Sequence, residues 1–281
     1  MEWRGKPVAD RLTEELTNRI TALRERGCVP KLMLLRVGER PEDLAYERGI
    51  RKRFASAGAE IDATVFPETV SQEELTEAVR SCNDDPSVHG VLLFRPLPGH
   101  LNEDGLLNVL KPDKDVDGMT AGNALRVYLG DKSGFAPCTA QAVLEMLDAN
   151  GCDVCGKHVV VVGRSRVVGK PLAMLLLARH ATVTVCHSRT KDLQEICRQA
   201  DILVACVGKA RMIGSAYVKP GMIVLDVGIN EDGDGICGDV DTESVAGIVS
   251  AVTPVPGGVG SVTTSVLLKH VVEQAERTAR P

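Results

Sequence analysis

The residues best suited to chemistry lie between Val159 and Pro171, which read VVVVGRSRVVGKP. Four consecutive valines are too β-branched for a good helix and too apolar for a half-exposed strand, so a buried parallel strand is predicted. Gly163 ends that strand, and Gly169 opens the apolar helical run Leu172 to Ala178. Arg164, Ser165, Arg166 and Val168 fill the turn between the glycines. A strand, a tight turn and a helix start bring backbone N–H groups and a positive helix end to one point, which suits a phosphate. The glycines alone also fit ordinary turns, because Ser165 stands where a dinucleotide fingerprint has its second glycine. A second strand, Ala181 to Cys186, ends at His187-Ser188-Arg189-Thr190. An NAD site places an acid there for the ribose hydroxyls. This chain instead has Ser188 and Arg189, with Arg164 and Arg166 nearby, a set suited to a 2′-phosphate. NADP is therefore the predicted cofactor.

The elements that must position this turn follow from periodicity. Val8 to Arg26 carries apolar residues at helical spacing, and Pro41 to Ala57 starts with a proline and two acids in its first turn. Ser71 to Cys82 opens on a capping box. Lys31 to Val37, Ile61 to Phe66 and Val88 to Phe94 read as strands between these helices. The loop Leu110 to Asn123, LKPDKDVDGMTAGN, is dense in acid, glycine and proline and is expected on the surface. A helix near Thr139 to Leu147 leads to the glycine turn. After it come strands Ile202 to Val207, Met222 to Val227 and Ile248 to Val252, then TPVPGGVGSVTTS and a last helix to about Ala275.

The bulk numbers exclude several classes. At 281 residues, two domains are expected. Hydrophobic and charged fractions of 44% and 25% are those of an ordinary globular protein. A net charge of −5 with 3% aromatics gives neither a basic stripe nor a stacking surface for nucleic acid. No apolar run is long enough for a membrane span, and charges occupy MEWRGKPVAD where a signal peptide needs its apolar stretch, so a cytoplasmic location is expected. The nine cysteines read as reduced thiols. Cys152 and Cys155 have CxxC spacing without a second pair to complete a zinc site, and no metal is predicted.

Laid end to end, these segments resemble the methylenetetrahydrofolate dehydrogenase/methenyltetrahydrofolate cyclohydrolase family, FolD in bacteria. PDKDVDG (Pro112 to Gly118) is similar to the family's folate-contacting loop and PCTA (Pro137 to Ala140) to its PCTP. The glycine turn and TVTVCHSRT resemble its nucleotide site, LDVGIN (Leu225 to Asn230) a later strand, and TPVPGGVG (Thr253 to Gly260) its most specific signature. The resemblance implies an α/β fold of two domains with a cleft between them. Residues 1–138 with 264–281 would form the folate-binding catalytic domain, and 139–263 a Rossmann-like NADP domain. It implies tetrahydrofolate derivatives as substrates and a homodimer. Tyr46 and Asp117 would bind substrate and serve catalysis, and Pro256, Gly257 and Gly258 would approach the pterin. Gly228 and Ile229 would join the turn residues in holding the cofactor.

The chain departs from the family at two catalytic positions. Ile50 stands where the family has a lysine four residues after its tyrosine, and Phe94 where it has the lysine's glutamine partner. Removing both partners together leaves no buried orphan, so the change is coherent. Strand alternation is expected to turn the neighbouring Arg95 to the opposite face. Hydride transfer is chiefly orientation, whereas hydrolysis needs an activated water and proton transfer. The expectation is an NADP-dependent methylenetetrahydrofolate dehydrogenase with its cyclohydrolase step weak or lost. Full bifunctionality, a non-catalytic nucleotide- or folate-binding paralogue, and a dehydrogenase of another substrate remain open. Ser261, in place of a family proline, is expected to cap the last helix.

Overall fold

The computed structural model describes residues 1–233 and 235–279. The chain divides into two compact units, one of Arg11–Cys138 with the chain from Thr264 onward, the other of Met1–Asp10 with Thr139–Thr263.

The first unit takes most of α1 (Gly5–Glu25), then β1 (Lys31–Val37), α2 (Pro41–Ala57), β2 (Glu60–Phe66), α3 (Gln72–Asp84), β3 (Gly90–Leu93), α4 (Glu103–Val109) and α5 (Ala121–Leu129). Its three parallel strands lie in the order β2-β1-β3. Local signals set the helix ends. Ser71 and Glu74 form the full capping box of α3, and Gly58 closes α2 in the left-handed conformation. Leu35, Val37, Leu75, Val79, Val91, Leu93 and Leu106 form one buried cluster. Glu47 ties α2 to β1 by accepting from Arg36 Nε at 3.0 Å, and it also accepts from Arg51 at 2.8 Å.

Three sequence expectations change here. Strand β3 stops at Leu93 rather than Phe94. The segment Leu110 to Asn123 is not all surface, since Asp115, Val116, Thr120 and Asn123 are buried and its end starts α5. Helices α4 and α5 were not anticipated; they are short, and Asn102 and Thr120 cap them by accepting from Gly105 and Asn123 backbone N–H groups.

The second unit contains α6 (Cys138–Ala149), β4 (His158–Val162), α7 (Gly169–Leu177), β5 (Thr182–Cys186), α8 (Leu193–Gln199), β6 (Ile202–Ala205) and β7 (Ile223–Asp226). A small hairpin of β8 (Asn230–Glu231) and β9 (Ile236–Cys237), then α9 (Thr242–Val245) and β10 (Ala251–Val252), complete it. The five parallel strands run β10-β7-β6-β4-β5. The order reverses between β4 and β6, the switch point at which open α/β sheets bind ligands beyond their carboxyl ends. The valines of β4 are buried on both faces, as their composition predicted. The last helix, α10 (Thr263–Thr278), returns to the first unit, where Glu276 pairs with Arg19 at 2.7 Å.

Residues 1–10 belong with the sheet of the second unit, not with the first as expected. The Trp3 N–H donates to the Val252 carbonyl at 2.9 Å and the Val252 N–H to that of Met1 at 3.0 Å, adding a short parallel bridge beside β10. A backbone pairing of this kind leaves no periodic trace in MEWRGKPVAD. Ser261 lies in the 3-10 turn Val259–Ser261 ahead of α10 and not at the helix cap.

The two glycines of the β4–α7 turn pack on each other and on β6. A Cβ on Gly163, whose φ is +135°, would meet the Cys206 carbonyl oxygen at 2.3 Å, and one on Gly169 would meet the Gly163 oxygen at 2.2 Å. Gly163→Ala is expected to destabilise the protein by about 3 kcal/mol. Gly156→Ala, at φ +71° with open space around it, should cost only about 1 kcal/mol. Thermal unfolding of the two variants measures the difference.

Candidate active site and nucleotide pocket

Asp117 ends a loop built by its neighbours. The buried Asp115 carboxylate accepts from the Met119 and Thr120 N–H groups at 3.0 and 2.7 Å and from Asn123 Nδ2 at 2.9 Å. Asn123, fully buried, also donates to the Pro112 carbonyl and accepts from the Phe135 N–H. Gly118, at φ +69°, lets the PDKDVDG and PCTA segments meet, since a Cβ there would fall 2.5 Å from Pro137 N. Cys138 Sγ donates to the Val116 carbonyl at 3.4 Å, which also receives a bond from His270 Nδ1 at 2.8 Å. Burial and the adjacent Asp117 hold the Cys138 thiol well above the usual range, so it stays protonated.

Asp117 is recessed, its side chain 22% exposed. Burial pushes its carboxyl up to about 6, against the opposing pull of Arg95 and with a further push from Asp115. Arg95 Nη2 lies 3.6 Å from Asp117 Oδ2, and Nη1 bonds Glu103 Oε1 at 3.1 Å. The expectation that strand alternation sets the face of Arg95 does not hold. With β3 finished at Leu93, strand alternation no longer governs residue 95.

The two substituted positions are apolar in fact as well as in name. Ile50 on α2 is fully buried, and Phe94 is 5% exposed. The Phe94 ring meets Tyr46 edge to face, with centroids 6.1 Å apart. Phe94 remains tied to β1 through its N–H, which donates to the Leu35 carbonyl at 2.9 Å.

In the second unit, Gly163, Arg164, Ser165 and Ser188 line one hollow with His187, Cys206, Val207 and Lys209. Ser165 Oγ accepts from the Val168 and Gly169 N–H groups at 3.0 and 3.4 Å, and its carbonyl accepts from Lys170. The helix start is thus partly satisfied from within, which corrects the expectation of a bare N-terminus. Charge for a phosphate falls instead to the exposed Arg164, Arg166 and Arg189 near this turn and to Lys209 in the lining. Arg166, Val168, Gly169 and Arg189 are not part of this lining. Gly228, Ile229, Pro256, Gly257 and Gly258 share a second hollow with Asp226 and Ser261.

Sequence reasoning missed what supports both hollows. Asp239 is fully buried and accepts from three successive N–H groups, Val207 (2.6 Å), Gly208 (3.1 Å) and Lys209 (2.8 Å), and from Asn230 Nδ2 (3.0 Å). Asp226 accepts from the Gly228, Asp239 and Val240 N–H groups. Burial pushes the Asp226 carboxyl up to about 6 despite those donors. Cβ atoms on Gly228 and Gly238 would collide with Asp239 and Asp226 at 2.2 and 1.9 Å, so the carboxylates and glycines interlock. Gly5 braces the other hollow, its N–H donating to Gly257 and its α-carbon so close to Gly258 that a Cβ would lie 2.1 Å from that carbonyl oxygen.

A parallel sheet with a glycine turn at its switch point defines a Rossmann-like dinucleotide-binding unit joined in one chain to a second α/β unit. The tetrahydrofolate dehydrogenase/cyclohydrolase catalytic domain matches residues 3–117, and the NAD(P)-binding domain of the same family matches residues 137–279. The bifunctional protein FolD of Carboxydothermus hydrogenoformans is 52% identical over 97% of this chain and 96% of its own length. The crystal structure of the bifunctional FolD dehydrogenase/cyclohydrolase of Campylobacter jejuni superposes with a TM-score of 0.96 at 39% identity, covering 99% of each chain. That of the Trypanosoma brucei enzyme, complexed with NADP cofactor and inhibitor, gives 0.94 at 34% identity over 100% of this chain and 99% of that one. The chain belongs to the tetrahydrofolate dehydrogenase/cyclohydrolase family. Among the described residues, no helix is long and apolar enough to cross a membrane.

Because Ile50 is fully buried, a lone lysine there would be a buried charge lacking its expected glutamine partner. Ile50→Lys is expected to lower stability by roughly 2–4 kcal/mol, and adding Phe94→Gln should restore about 1 kcal/mol or more. Urea unfolding of both single variants and the pair measures this coupling.

Proposed function

We propose that this chain oxidises the one-carbon bridge of methylenetetrahydrofolate with NADP and then hydrolyses the methenyl product to 10-formyltetrahydrofolate. The observation that carries the second half is the full-length match to relatives named bifunctional, with Arg95 leaving a cation at Asp117 although the lysine position is isoleucine. This reading replaces the expectation of a lost second step as the favoured account.

The residues present fit the dinucleotide: a glycine turn at the sheet's switch point, basic side chains near Ser188, and no acid where NAD's ribose is usually held. Gly163, Arg164, Ser165, Ser188 and Lys209 would hold its phosphorylated end, with Arg166 and Arg189 adding charge; Val168 and Gly169 support the turn. Gly228 and Ile229 would border its other end. Bound NADP would supply the hydride acceptor. The chain's own work would then be to hold flat rings still: in the first unit Asp117 would accept from the pterin's N–H groups beside Tyr46, and in the second unit Pro256, Gly257 and Gly258 leave the backbone open to close approach. In the second step water adds to the methenyl carbon, one ring C–N bond opens, and a proton is released. A homodimer and a cytoplasmic location are part of the proposal.

One observation favours a second reading. Ile50 and Phe94 put buried apolar side chains where the family's lysine and glutamine would stand, which would slow water activation and give a dehydrogenase that releases methenyltetrahydrofolate. A two-product assay separates the readings. Formyl product should keep pace with NADPH. Accumulating methenyl product would support the second reading, and no NADPH at all would overturn both. Since the Asp117 carboxyl lies at about 6, it loses its charge below that pH, and kcat/KM for the folate should fall about tenfold per pH unit there.

A further inference from the structure

The charge of Asp117 has to be maintained in a setting that opposes it. Its own loop contributes Asp115, which is bonded to Met119, Thr120 and Asn123 and opposes a charge on Asp117. From α6 it faces Cys138, whose backbone bond favours the carboxylate and whose thiol stays neutral. His270, on α10, is engaged with the Val116 carbonyl and stands 3.8 Å from Cys138 Sγ. The cation paired with Asp117 is Arg95, whose side chain is 19% exposed. Glu103 at the start of α4 holds the other arm of the guanidinium at 3.1 Å, which keeps the Nη2 end 3.6 Å from Asp117.

We propose that Arg95 is the positioning cation of this pocket, fixing both the orientation and the negative charge of the Asp117 carboxylate that receives the folate ring. Arg95 does not touch the substrate in this account; it acts through Asp117. The inference rests on the folate-binding reading above and adds a residue that the two family-defining substitutions do not touch. It also explains how a chain with Ile50 and Phe94 keeps a charged acceptor in a drier pocket. An arginine suits the task because it stays protonated at every working pH. It is a poor proton donor for the same reason, so the role is electrostatic.

The test compares wild type, Arg95→Lys and Arg95→Gln in the NADP-linked oxidation of methylenetetrahydrofolate from pH 5.5 to 8.5, with kcat and KM separated. In Arg95→Gln the acid limb of kcat/KM should move up by at least about one pH unit, the size of an arginine's effect on a neighbouring aspartate. KM for the folate at pH 7 should rise about two- to tenfold with kcat changed less than about twofold. Arg95→Lys should recover most of the wild-type profile, and NADP affinity should stay unchanged in both. An unmoved acid limb in Arg95→Gln overturns the proposal, as does equal loss in the lysine and glutamine variants, which would make Arg95 only a tie to α4. A melting temperature measured for each variant, with the profile normalised to folded protein, keeps a folding defect from imitating the effect. Failure of wild type to turn over would instead count against the functional reading.

Discussion

A carboxylate withdrawn from water must be matched by a cation or by N–H donors, or it takes up a proton. The protein meets this constraint in two ways. Asp239 and Asp226 are matched by backbone, collecting the N–H groups of residues 207–209 and of 228, 239 and 240. These bonds shape the loops that line both hollows of the nucleotide unit. Asp117 is matched by the Arg95 guanidinium together with a backbone bond from Cys138. The backbone solution is rigid and structural.

That difference changes the meaning of the two substitutions. With only Ile50 and Phe94 in view, the folate unit looks stripped of polar groups. The structure adds an arginine at the carboxylate and an aromatic contact between Tyr46 and Phe94. The lysine–glutamine pair has not been replaced in kind, since arginine does not shuttle protons at neutral pH. The cation beside the carboxylate comes instead from the loop after β3.

Much of this was legible in the chain. The valine run, the glycine turn, the capping box at Ser71 and the proline start of α2 appear where local chemistry put them. The family was readable from PDKDVDG and TPVPGGVG. What escaped was set by tertiary pairing. Arg95 was assigned a face by alternation extended past the true end of β3. Residues 1–10 join a distant strand through backbone bonds that carry no side-chain pattern. Asp115 and Asn123 read as surface-loop residues and Asp226 as the polar end of a strand, and only their burial, with that of Asp239, shows that they hold the neighbouring loops together. Glycines 228 and 238 held a usable signal, because paired glycines opposite aspartates mark close approach.

The most direct measurement is a carboxyl-observed NMR titration of Asp117 in the free protein, in wild type and in Arg95→Gln. The wild-type midpoint is predicted at about 6, with the variant at least about one pH unit higher. A midpoint that does not move when the arginine is removed would contradict the account.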